Sequence, residues 1–179
     1  MTVLALRPNG DYSVALTRST GSDNYALVDE AVLETGDYVY RTPNSYAADI
    51  YGLPNHTTES GVISKVTLKA YLHRTGSAST CYAMLSVEMG GTRYDGDEIT
   101  VTTTNTLYTV EHTTNPNTGS AWTWQNIDDL VAGCRLKSTG LGAECRCYQF
   151  WVEVDYTVAS TFLHGIMQHR FIPSFTGGK

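Results

Sequence analysis

The stretch Val66-Thr67-Leu68-Lys69-Ala70-Tyr71-Leu72-His73 decides the fold. Val66, Leu68, Ala70 and Leu72 point one way, while Lys65, Thr67, Lys69, Tyr71 and His73 point the other. Strict alternation over this length predicts a half-buried antiparallel strand running from Gly61 to Thr75. The pattern repeats from Ser79 to Met89, with Cys81, Ala83, Leu85, Val87 and Met89 on the apolar side. Gly90-Gly91 then reads as a tight hairpin turn, because both positions tolerate positive φ. Thr92–Tyr94 and Glu98–Thr102 form the return strand, interrupted by Asp95-Gly96-Asp97, and Leu107–His112 is one more strand.

Further out in both directions the pattern is more varied. Residues 145–158 alternate again, Arg146, Tyr148, Phe150, Val152, Val154 and Tyr156 against Cys145, Cys147, Gln149, Trp151, Glu153 and Asp155. Large side chains on both faces predict a central strand. Between these strands, Thr123 can cap a helix with Asn126 at its third position, Trp124, Ile127, Leu130 and Val131 on one face, and Gly133 at its end. Residues 1–60 are loop-rich. Short strands are predicted near Tyr12–Thr17, Asp37–Arg41 and Asp49–Leu53, and a helical turn over Asp23–Glu30 capped by Asp23. The expectation is an all-β, two-sheet antiparallel β-sandwich of jelly-roll type over residues 1–158, with one short helix. An extended C-terminal arm over 159–179 follows.

Composition narrows the function. With 179 residues the chain can bury a large core without metals or disulfides. Its net charge of −6, with scattered Lys and Arg, argues against a nucleic-acid partner. No run is long enough to span a membrane, and the start, Met1-Thr2-Val3-Leu4-Ala5-Leu6-Arg7-Pro8, lacks the features of a signal peptide. Synthesis in the cytoplasm is therefore expected. The five histidines show no His-Glu-x-x-His spacing, and no Gly-x-Ser-x-Gly elbow is present, so no catalytic residues are assigned and an enzyme is not expected.

Three constellations remain. Asp95, Asp97 and Glu98 offer the oxygen ligands a calcium ion takes, with a solvated acidic turn as the other reading; no other cofactor is implied. The cysteines are Cys81, Cys134, Cys145 and Cys147. If Thr139-Gly140-Leu141-Gly142 closes a hairpin, Cys134 falls opposite Cys145 within reach of a cross-strand disulfide. Buried free thiols are the other reading. Tyr71, Tyr82 and Trp151 sit on strand faces that can meet a ligand, and an aromatic sheet face serves a sugar or a neighbouring subunit equally well. In the arm, Phe162, Leu163, Ile166, Met167, Phe171, Ile172 and Phe175 are apolar without helical or strand period. They either fold back on the sandwich or dock on another chain.

A wider order of segments adds to this. Leu6-Arg7-Pro8-Asn9-Gly10-Asp11 is followed by Tyr25-Ala26-Leu27-Val28-Asp29-Glu30, and later by Asn115-Pro116-Asn117-Thr118-Gly119-Ser120-Ala121-Trp122-Thr123. The closing segment is Tyr148-Gln149-Phe150-Trp151-Val152-Glu153-Val154-Asp155-Tyr156. This order resembles β-sandwich virion structural proteins of tailed phages and related viruses. The resemblance covers the chain as far as Tyr156. It implies a capsid-decoration, minor capsid or tail component, located in the virion, that self-associates and docks on other virion subunits. It implies no cofactor and no active site. The alternative is a carbohydrate-binding sandwich of an adhesive or secreted protein, with a surface glycan as its partner.

Overall fold

In the computed structural model, residues 1–76, 79–140 and 142–158 are described. The elements begin with β1 (Thr2–Leu6), β2 (Gly10–Val14), β3 (Thr17–Arg18), a 3-10 turn (Tyr25–Leu27), β4 (Val39–Arg41) and β5 (Ala47–Gly52). Next come β6 (Val62–Arg74), β7 (Cys81–Met89), β8 (Thr92–Asp95), β9 (Ile99–Val101) and β10 (Thr106–His112). The chain then forms α1 (Trp124–Asp128), β11 (Val131–Ser138) and β12 (Cys145–Thr157).

The strands make two antiparallel six-stranded sheets. The first runs β10-β6-β12-β4-β3, with β1 also on β12; the second runs β2-β5-β11-β7-β8, with β9 also on β7. The all-β sandwich expectation therefore holds. The inner faces meet in one apolar core that includes Leu68, Leu72, Leu85, Val87, Leu136, Phe150 and Val152, all fully buried. Burial of such side chains stabilises by about 1.5–3 kcal/mol each relative to exposure. The alternation that predicted β6 and β7 places every named apolar residue inward. Gly90 and Gly91 close the β7–β8 hairpin at φ 58° and 75°.

β12 is central, as expected. β6 pairs along its whole length on one side, and on the other β4 pairs with residues 145–147 and β1 with residues 152–156. Its alternation is broken, however, by a register shift between Cys147 and Gln149 that leaves Tyr148 as an inserted residue. The bulge swaps the phase of the strand. Cys145 and Cys147 face the core before it, and Phe150, Val152 and Val154 face the core after it.

Two expectations are corrected. The helix stops at Asp128, where sequence spacing carried it to Gly133, and Val131–Ser138 is the central strand of the second sheet. Thr123 does cap α1 and forms a capping box with Asn126. Gly133 serves a different purpose from a helix stop. A Cβ there would stand 1.9 Å from the Asp49 carbonyl oxygen, so glycine lets β11 lie against β5. Near the N-terminus, Asn24 and not Asp23 precedes the 3-10 turn.

Asn24 belongs to a buried polar hub. Its side chain donates to Asp49 at 2.5 Å, and the same carboxylate accepts from the Ala15 and Leu16 amides at 2.7 and 2.8 Å. The Tyr51 hydroxyl donates to it at 3.2 Å. Burial pushes the Asp49 carboxyl up while these donors hold it down, and burial prevails. This side chain adds to the β2–β5 pairing in fastening the loop-rich N-terminal part to β5.

Candidate functional site

The outer face of the first sheet carries aromatic and charged side chains in rows fixed by strand register. Leu107 of β10 lies across from Tyr71 of β6, which lies across from Gln149 of β12. One step along, Thr109 stands across from Lys69, and Lys69 across from Trp151. A further step brings Glu111, Thr67, Glu153 and Ala5 of β1 into line. Four neighbouring strands thus build a continuous polar surface with an aromatic centre.

Tyr71 and Trp151 stack there, with ring centroids 6.1 Å apart and an interplanar angle of 29°. Trp151 is 9% exposed and is the anchor of the pair. Its indole N–H donates to Glu153 at 2.9 Å, and Lys69 and Arg7 lie over its ring at 5.8 and 5.7 Å. Lys69 also pairs with Glu153 at 2.7 Å. Burial pushes the Glu153 carboxyl up, but the hydrogen bonds from Lys69 and Trp151 outweigh it and hold the group below its usual range. Tyr71 is half-buried, and among the described residues no cation covers its ring.

The aromatic surface continues toward β4. Tyr148, turned outward by the bulge, meets Tyr38 at 5.4 Å edge-on and His73 at 5.9 Å. Tyr38 also meets Tyr40 at 5.8 Å, and Arg146 lies over Tyr38 at 4.2 Å. Burial, with the Arg146 charge, pushes the His73 imidazole below its usual range. The result is a row of packed rings in which Tyr148 is 4% exposed and Tyr38 lies under Arg146.

Sequence reading named Tyr71, Trp151 and Tyr82 together, but the structure brings only the first two together. Tyr82 projects from β7, in the second sheet. There Lys137 lies over it at 4.6 Å and over Tyr46 at 4.5 Å, while Arg135 covers Tyr46 at 4.9 Å. The Tyr46 hydroxyl donates to Glu98. Lys69, Glu153, Arg7, Tyr38 and Tyr148 were not singled out by sequence. The i, i+2 spacing of Lys69 with Tyr71 and of Trp151 with Glu153 was the available signal for the first two.

Two carboxylates of the acidic turn are engaged by side chains of the chain itself. Asp95 is tied to Arg135, to Arg93 at 3.5 Å and to the Ser86 hydroxyl at 2.7 Å. Glu98 turns to Tyr46 and Lys137. Among the described residues, no group of three or more His, Cys, Asp or Glu is placed to hold a metal ion. The Cys134–Cys145 pairing is corrected. β11 and β12 belong to different sheets and do not form a hairpin; all four cysteines are free and buried, and the Cys145 and Cys147 thiols donate to the Tyr82 and Gln149 carbonyls at 3.7 and 3.5 Å. Phe162, Leu163, Ile166, Met167, Phe171, Ile172 and Phe175 lie outside the described residues.

His56 and Asp128 form the one histidine–carboxylate pair among the described residues, at 2.7 Å, with His56 against Trp124 at 5.0 Å. The hydrogen bond from His56 lowers the Asp128 carboxyl. The Asp128 carboxylate also accepts the His56 amide at 3.0 Å, which fastens the loop before β6 to α1. A cleft of about 360 Å³ at one end of the sandwich lies between Thr42, Pro43 and Asn44 and Ser138, Thr139 and Gly140, with no ionisable side chain among the described residues that line it.

No protein-family model matches the chain, and no curated protein matches it by sequence. Among solved structures it is similar to the CBM22-1 xylan-binding domain from Paenibacillus barcinonensis. Identity is 12%, covering 87% of this chain and 95% of that one, with a TM-score of 0.45. It is similar to a carbohydrate-binding module from Cellvibrio mixtus lichenase 5A in complex with cellotriose, at 14% identity, covering 88% of this chain and 100% of that one, TM-score 0.33. A third likeness is to the family 11 carbohydrate-binding module from Clostridium thermocellum, at 14% identity, covering 88% of this chain and 89% of that one, TM-score 0.36. At these identities the likeness concerns the fold.

The virion reading is corrected by this finding. The order of loops and strand ends that resembled virion structural proteins belongs to a chain whose structural likenesses are to carbohydrate-binding modules. That order marks a sandwich, and a sandwich hosts many functions. The capsid-decoration, minor capsid and tail roles fall with it.

Proposed function

We propose that the chain is a glycan-binding module that holds its ligand without cleaving it, across the outer face of the first sheet. The observation that carries this reading is the uncovered ring of Tyr71, backed by Trp151 at 6.1 Å and flanked by the Lys69–Glu153 pair. An aromatic face stacks on the C–H surface of a pyranose, and the neighbouring ammonium and carboxylate bond its hydroxyls. Tyr148 is 4% exposed and Arg146 lies over Tyr38, so Tyr71 is the ring that offers a face. Trp151 serves as the rigid support that keeps Tyr71 in one orientation.

Titration calorimetry and a glycan array test it. The first probes are xylan, cellotriose and the β-1,3-1,4-mixed-linked tetrasaccharide, the carbohydrates named for the similar structures. Binding to at least one glycan is expected, weakened in Tyr71→Ala and kept in Tyr82→Ala. A glycan array without a hit sinks the proposal, as does a Tyr71→Ala protein that binds like the parent.

A further inference from the structure

Along β6, Val66, Leu68 and Ala70 turn into the core, so Lys65, Thr67, Lys69 and Tyr71 follow one another on its outer face. Lys65 pairs with Glu111 at 2.5 Å and Lys69 with Glu153 at 2.7 Å. Thr67 stands between the two lysines and lies across from both acidic residues, Glu111 on β10 and Glu153 on β12. The two ion pairs thus enclose it, and it is only 3% exposed. Its hydroxyl, a donor and an acceptor at once, has no hydrogen-bond partner in the chain. Burying a hydroxyl without a partner costs free energy. Strand propensity does not call for it, since valine suits a strand as well and carries no polar atom.

We propose, building on Tyr71 as the stacking ring, that the Thr67 hydroxyl is a second ligand-binding group, uncovered when the Lys65–Glu111 pair opens, and that a neutral oligosaccharide lies lengthwise on β6 from Tyr71 to Thr67. The Lys65–Glu111 pair is the movable cover. Its side chains are 31% and 52% exposed, against 22% and 24% for Lys69 and Glu153. An exposed ion pair gains little from staying closed. At the rise of a β-strand, Thr67 and Tyr71 lie about 13 Å apart. A ligand that touches both is therefore a chain of sugars and not a single ring. Both lysines on this stretch are already paired with carboxylates, so the ligand needs no charge of its own. In the complex a sugar hydroxyl sits beside Thr67, and the group that lacked a partner gains one.

This role has a signature that a purely structural threonine lacks. In Thr67→Val a methyl group replaces the hydroxyl, so a buried group without a partner is removed and no bond within the chain is broken. Stability is then unchanged or raised while affinity falls. A threonine whose hydroxyl served the fold would lose stability instead. The loss of affinity also depends on ligand length, because only a chain that extends past Lys69 reaches Thr67.

The test is calorimetry on the full chain with neutral linear oligosaccharides, cellobiose to cellohexaose and xylobiose to xylohexaose, together with urea denaturation of each variant. Thr67→Val is expected to bind the longer members about two- to twelvefold more weakly than the parent, which is the loss of one hydrogen bond. It is expected to bind the shortest members that the parent binds unchanged, and to unfold at an equal or higher urea concentration. Thr67→Ser, which keeps the hydroxyl, is expected to retain the parent's affinity, and Tyr71→Ala to weaken every member. A Thr67→Val protein that binds all lengths like the parent overturns the proposal, and so does a loss of equal size at every length or an earlier urea midpoint. A parent that binds no member of either series overturns it too, whereas only a glycan array without a hit also removes Tyr71 as a sugar-stacking ring.

Discussion

On the outer surface of the second sheet, Tyr46 lies beneath Arg135 and Lys137, Tyr82 lies beneath Lys137, and the Tyr46 hydroxyl is taken by Glu98. On the first sheet, Lys69 and Arg7 converge on Trp151 and leave Tyr71 uncovered. Both surfaces are rich in tyrosine and in charge, so composition does not separate them. The separation comes from which rings the protein's own cations already occupy. A ring under an ammonium has satisfied its quadrupole internally, while a ring backed by a second ring keeps a face for a ligand.

The sheets themselves give the sharpest test of how alike their construction is. Gly133 lets β11 approach β5, and Gly61, at φ 109°, lets its backbone approach the Thr157 carbonyl, where a Cβ would stand 2.0 Å away. Gly133→Ala is expected to destabilise by about 2–4 kcal/mol in urea denaturation, because both collisions there are with backbone that cannot move aside. A loss below about 1 kcal/mol would mean that the second sheet yields more easily than its packing indicates.

The next effect separates the two faces. Tyr71→Ala is expected to weaken glycan binding by about 1–2 kcal/mol, roughly five- to thirtyfold in Kd, measured by calorimetry. Equal losses in Tyr71→Ala and Tyr82→Ala would erase the distinction drawn here.

Glu30 supplies a pH-dependent test on the first sheet's side. The Arg7 guanidinium and the Gln149 amide both donate to its backbone carbonyl. Burial, with Asp37, Asp29 and Glu34 nearby, raises its carboxyl from 4.5 to about 7. A raised folded value favours the protonated form in the native state. Its contribution is therefore present below pH 4.5 and lost as pH rises to about 7. Solvent screening of this half-exposed group leaves on the order of 1 kcal/mol. Glu30→Gln is expected to flatten the fall in urea stability between pH 5 and pH 8 seen in the parent; an unchanged slope argues against the assignment. The smallest effect belongs to the second sheet. Lys137→Met is expected to cost about 0.5–1 kcal/mol of stability and to leave glycan affinity untouched; a binding defect would move the site to that face.

Much of the fold was legible because β6 and β7 each expose one side and bury the other, which writes period two into the chain. β11 was not legible for a local reason. Ile127, Leu130 and Val131 satisfy helical spacing just where Ala132, Cys134 and Leu136 begin a strand, and tertiary pairing to β5 and β7 decides between them. The phase of β12 was hidden for a related reason. A single inserted residue, Tyr148, leaves the apparent alternation intact while moving the cysteines to the opposite face from the one it suggests. Tyr71 and Trp151 could be named from their strands alone. That Tyr82 faces away from them depends on which sheet each strand joins, a property of contacts far apart in sequence.

β1 and β12 pair antiparallel, with Thr2 opposite Tyr156. The first and last strands thus come to the same end of one sheet, and a short linker between them would leave the ladder undisturbed. New termini could then be opened at the Gly90-Gly91 hairpin, giving a circularly permuted sandwich, and repeats strung on such linkers would project from a common stalk.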